Sequence, residues 1–93
     1  MSSILVVDDD AINLKMAEII LKKKDYEVKT ADSGQAALAI LQEESVDLVL
    51  LDVEMPEMNG IETLEAIRAR QELAELPVLF LSASEDMEEA VAN

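Results

Sequence analysis

Ninety-three residues, 51% of them hydrophobic and only Tyr26 and Phe80 aromatic, suffice for one aliphatic core and not for two. Twenty-one acidic against seven basic residues give a formal charge of −14, which repels nucleic-acid phosphates and anionic membrane surfaces and excludes direct binding to either. With neither cysteine nor histidine in the chain, disulfides, thiol chemistry and the usual zinc ligands are ruled out. Any metal must then be held by oxygen, as magnesium and calcium are.

The first eight residues lack both the basic stretch and the apolar length of a signal peptide, and no run approaches a membrane span, so a cytoplasmic location is expected. Ile4 to Val7 is a short unbroken aliphatic run, the pattern of a parallel strand covered on both faces. Ile12 to Lys24 follows as a helix with Leu14, Ala17 and Leu21 on one stripe, closed by Lys22, Lys23 and Lys24 where cations suit the helix dipole. Tyr26 to Thr30 alternates apolar and charged residues, which suits a sheet edge. A second helix over Gln35 to Gln42 carries Ala37, Leu38 and Leu41, and Leu48 to Leu51 is the second aliphatic run. Asn59-Gly60 is a loop leading into a helix, because Ile61 to Arg70 repeats at helical spacing through Ile61, Leu64 and Ile67. Val78 to Leu81 is the third aliphatic run, and Glu85 to Asn93 has a helical composition.

Strand, helix and strand repeated at this spacing require right-handed crossovers, and so an α/β, doubly wound parallel sheet formed by a single domain over residues 1–93. With the second strand at an edge the order is 2-1-3-4. The topological switch point, where such sheets bind ligands, then lies between strands one and three. Strand four is as apolar as an internal strand, yet no later strand is available to pair with it. The chain is therefore expected to be incomplete at its C-terminus, lacking at least one strand and helix, or to self-associate through the exposed fourth strand.

Asp8, Asp9 and Asp10 follow the first strand and Asp52 ends the third, so their carboxylates should converge at the C-terminal edge of the sheet. Two carboxylates about 4 Å apart repel by about 4 kcal/mol at an effective dielectric near 20, so such a cluster takes up protons or recruits a cation. Magnesium suits it, since this ion accepts one or two carboxylates together with retained waters and a phosphate oxygen. A calcium loop does not fit, because Ile12 would occupy its third ligand position and its glycine is missing. One aspartate is enough to cap the following helix; three, opposite a fourth, exceed that need.

Three segments carry a family resemblance: Ile4-Leu-Val-Val-Asp-Asp9; Leu48-Val-Leu-Leu-Asp52 running on through Val-Glu-Met-Pro-Glu-Met-Asn-Gly60; and Pro77-Val-Leu-Phe-Leu-Ser-Ala83. In order and spacing they resemble the receiver domain of bacterial two-component response regulators, over essentially all 93 residues. The resemblance implies a flavodoxin-like receiver fold without its fifth strand and helix. It also implies Asp52 as the phosphoacceptor, attacking a phosphohistidine to form an acyl phosphate. Asp9 matches the carboxylate that binds Mg2+ directly, Asp8 the one that acts largely through water, and the backbone carbonyl of Glu54 completes the metal's protein ligands. Ser82 matches the switch hydroxyl that turns toward the new phosphoryl oxygens, although Ser82-Ala-Ser-Glu85 also has the spacing of a helix capping box. The implied partners are a sensor histidine kinase or a histidine phosphotransfer domain, docking on helix one around Asn13 and Leu14. The family's lysine and aromatic switch residue on a fifth strand have no counterpart here, which implies impaired phosphorylation of this 93-residue form.

Two other readings fit the sequence. Ile4 to Asp10 also resembles the first motif of the haloacid dehalogenase superfamily, with Asp8 as nucleophile and Asp10 as general acid, but that reading leaves Asp52 to Gly60 unexplained. A structural or adaptor module that keeps the receiver fold without phosphorylation is the third.

Overall fold

A computed structural model describes residues 2–52 and 59–81. Its elements run β1 (Ser3–Val7), α1 (Ala11–Lys23), β2 (Glu27–Ala31), α2 (Gly34–Glu43), β3 (Leu48–Asp52), α3 (Gly60–Arg68), a 3-10 turn (Gln71–Leu73) and β4 (Val78–Leu81). The four strands form one parallel sheet in the order β2-β1-β3-β4, as expected from the three aliphatic runs and the one alternating strand. Among the described residues no strand pairs with the outer flank of β4, where Leu79 and Phe80 are 38% and 36% exposed. The helix expected from Glu85 lies outside the described residues.

The two faces of the sheet make two cores. Leu5, Val7, Val49 and Leu51 pack with Ala37 and Leu41 of α2 and Ile67 of α3, and Ile4, Val6 and Leu50 pack with Ala17 and Leu21 of α1. The period of two along β1 and β3 sends alternate residues to each core, which is why neither strand can carry a charge before its end. Register is fixed at the lower end of this pair: Asp47 accepts the Ser3 N–H at 2.8 Å through its carboxylate and donates its own N–H to the Ser3 carbonyl at 2.8 Å, 44 residues away.

Each α-helix begins one residue before the position that hydrophobic spacing suggests, because a polar side chain sets its start. Asp10 accepts from Ile12 N–H, Ser33 from Ala36 N–H and Asn59 from Glu62 N–H, with Glu62 returning the bond to Asn59 N–H as a capping box. The α3 stripe is corrected by this start. Its buried positions are Gly60, Thr63 and Ile67, Leu64 is partly buried against the same core, and Ile61, expected on that stripe, is 54% exposed. Thr63 is buried at no polar cost because its hydroxyl donates to the Asn59 carbonyl at 2.9 Å.

Helix α1 ends in a Schellman turn: Tyr26 N–H reaches the Leu21 carbonyl, Asp25 N–H reaches that of Lys22, and Asp25 adopts φ 67°. Tyr26 is thereby committed to the helix end, packing in the same core as Leu21, and β2 starts at Glu27, one residue later than the alternation suggested. Among the described residues no helix is long and apolar enough to cross a membrane.

Candidate functional site

Parallel pairing of β1 with β3 matches Ile4 to Leu48 and Val7 to Leu51, and one further step of the same register brings Asp8 level with Asp52. Both strands thus deliver a carboxylate to the C-terminal edge of the sheet at the point where strand order reverses. Asp8, Asp9 and Asp52 each offer an oxygen, and these oxygens lie within 4.8 Å of one another. Asp8 is 7% exposed, Asp52 is half-buried and Asp9 is exposed.

Asp8 is held on three sides. Its N–H continues the sheet by donating to the Ala31 carbonyl of β2 at 3.1 Å. Its Oδ1 accepts from the Asp10 N–H at 2.9 Å and its Oδ2 from the Asn13 side-chain amide at 3.2 Å. Asp10 stands apart from the cluster, its carboxylate accepting the Ile12 N–H at 2.8 Å as the α1 cap. The run of three aspartates therefore divides its labour, one residue capping the helix and two joining Asp52. The dehalogenase-like assignment fits poorly with this, since its proposed acid is the cap and its proposed nucleophile is nearly enclosed with a donor on each oxygen.

Oxygen donors alone suit a hard cation, and three carboxylates in one cluster supply charge that such an ion neutralises. Of the other expected site residues, Glu54 and Ser82 lie outside the described residues; the β3–β4 register ends on Asp52 opposite Leu81. Asn13, expected at the docking surface of helix one, also bonds to the site itself. A groove of about 400 Å³ between Leu41, Val46, Leu73 and Leu76 lies at the opposite end of the strands and does not reach the carboxylates.

The fold and the acidic edge define a phosphorelay type of α/β signalling domain, and comparison with known proteins agrees. The response regulator receiver domain model matches residues 4–93, and the chain belongs to that family. It is 45% identical over 83 residues to the transcriptional regulatory protein CpxR homolog of Haemophilus influenzae, covering 89% of this chain and 35% of that protein. The first curated relatives are matched over only 20% to 38% of their length. Among solved structures, the chemotaxis protein CheY4 of Vibrio cholerae superposes with a TM-score of 0.87 at 35% identity, over 96% of this chain and 74% of that one. The response regulator TrrA of Thermotoga maritima, solved in complex with Mg2+ and BeF, gives a TM-score of 0.82 at 32% identity over 97% of this chain and 81% of that one.

Proposed function

We propose that residues 1–93 act as one receiver domain that takes a phosphoryl group onto Asp52 from the phosphohistidine of a sensor histidine kinase or a histidine phosphotransfer domain. The convergence of Asp8, Asp9 and Asp52 within 4.8 Å at the switch point is the observation that carries this reading. An oxygen of Asp52 forms the new O–P bond as the N–P bond of the donor breaks, and the donor nitrogen keeps the electron pair and takes up a proton. Asp9 and Asp52 would hold Mg2+ directly, with the Glu54 carbonyl, and Asp8 through water. When bound, the ion neutralises charge on the transferring group. That a receiver at 32% identity is solved with Mg2+ and BeF supports the same metal here. Ser82 would donate its hydroxyl to a phosphoryl oxygen and couple the event to the chain beyond β4. In this reading the domain catalyses only its own phosphorylation and the loss of that group, in the cytoplasm.

Incubation with Mg2+ and acetyl phosphate, followed by intact mass and peptide mapping, tests the reading. A single Mg2+-dependent, base-labile adduct at Asp52, absent in Asp52→Asn, is the expected result. Label at Asp8 would support the dehalogenase-like alternative, and a folded chain that never labels, even when extended by a fifth strand and helix, would support the adaptor reading.

A further inference from the structure

The amide of Asn13 is separated from the acidic cluster in sequence by a capped helix start, yet its Nδ2 donates to Asp8 Oδ2 at 3.2 Å while the Asp10 N–H occupies Asp8 Oδ1 at 2.9 Å. Both donors come from the first turns of α1, whose start is itself fixed by Asp10. Rotating the Asp8 carboxylate about its own bond would break both hydrogen bonds together. Asp8 is also 7% exposed, so solvent cannot readily replace a lost donor. Asn13, by contrast, is an exposed helix residue, and asparagine there adds nothing to helix propensity.

We propose that Asn13 is a positioning residue for the cation site: it clamps Asp8 as an oriented carboxylate with one donor on each oxygen. This rests on the metal reading of the cluster given above. The clamp limits what Asp8 can lend a metal, since each oxygen has one acceptor direction already used. The site therefore suits an ion content with few carboxylates and retained waters over one that gathers six to eight oxygen ligands, often with bidentate carboxylates. Residues that orient a ligand without touching the metal typically change affinity by about 10 to 100-fold when removed.

The test reads metal binding without phosphorylation. Mn2+ is titrated into the intact chain and followed by loss of the free-ion EPR signal, with Mg2+ and Ca2+ as competitors, in wild type, Asn13→Ala, Asn13→Gln, Ile12→Ala and Asp9→Asn. Asn13→Ala is expected to weaken Mn2+ and Mg2+ binding about 10-fold, to narrow the preference for Mg2+ over Ca2+, and to lower the metal-free unfolding midpoint slightly, because Asp8 loses a donor that solvent does not readily replace. Asn13→Gln, which retains an amide donor, should recover part of the loss, and Ile12→Ala, the 70%-exposed neighbour, should behave as wild type. Wild-type affinity and selectivity in Asn13→Ala overturn the assignment of Asn13 while leaving the metal site in place, provided that Asp9→Asn still loses binding. A wild-type chain that binds no Mn2+, or binds it equally well as Asp9→Asn, overturns the metal reading and this proposal with it.

Discussion

β1 and β2 have the same length, the same parallel geometry and a shared ladder, yet one is buried at all five positions and the other carries Glu27, Lys29 and Thr30 along it. The difference comes from their neighbours. β1 lies between two strands and under helices on both faces, so a charge within it would have to be buried, and its acids appear only where the sheet opens. β2 has one strand neighbour and tolerates polar groups throughout. Lys29, its side chain 19% exposed, sits between Glu44 at 2.9 Å and Glu27 at 3.2 Å. Charge at the edge is spread along the strand and paired as it goes, whereas charge at the centre is gathered at one end, where Asp8, Asp9 and Asp52 converge.

The sharpest way to break this comparison is to truncate both regions. Leu50→Ala, at a side chain with no exposure, should cost about 2–5 kcal/mol, and Val28→Ala on half-buried β2 about 1 kcal/mol; equal losses by denaturant titration would show that the centre is no better packed than the edge. The next effect concerns the charged end. Mg2+ at tenfold over its Kd should raise wild-type stability by about 1.4 kcal/mol, and Asp9→Asn should abolish that gain while raising metal-free stability, because it removes one of three mutually repelling carboxylates.

A smaller change tests how the chain enters the edge strand. Asp25 holds a left-handed conformation that glycine adopts without strain, so Asp25→Gly should raise the unfolding free energy by about 0.5–1 kcal/mol; a loss would mean that the aspartate side chain contributes to the turn. The smallest effect belongs to Lys29. Its hydrogen bond to Glu44, then that to Glu27, raises its pKa above the ordinary 10.5. A cation whose folded pKa is raised stabilises fully below its unfolded value and loses that contribution as pH climbs through the folded one. The small gap in denaturation midpoint between wild type and Lys29→Ala should therefore persist at pH 8 and close above about pH 10.5; a gap that stays constant would remove the ion pairs as its cause.

Much of this was legible in the sequence because the governing physics is local. Aliphatic runs at Ile4, Leu48 and Val78 can only be covered parallel strands, and one alternating strand fixes the order of the sheet. That order led to the convergence of Asp8, Asp9 and Asp10 with Asp52, of which Asp10 caps α1 instead, and only the family resemblance singled out Asp8 and Asp9 as metal ligands. Element starts were less legible, since Asp10, Ser33 and Asn59 begin the helices through side-chain bonds that hydropathy does not register, and the exposure of Ile61 follows from where Asn59 starts α3. Nothing in composition or spacing announces the bond from Asn13 to Asp8. It depends on the angle at which α1 leaves β1, which is a property of the packed helix.

The paired bonds between Ser3 and Asp47 act as a gauge for the whole site. They lie at the end of β1 and β3 remote from the carboxylates, about five residues or 16 Å away along the strands. A slip of one residue there would carry Asp52 past Asp8 and turn every side chain of β3 to the opposite core. Two residues that touch no ligand thus set the spacing between two that would, and Asp47 belongs to the chemistry of the domain as a datum from which distance is measured.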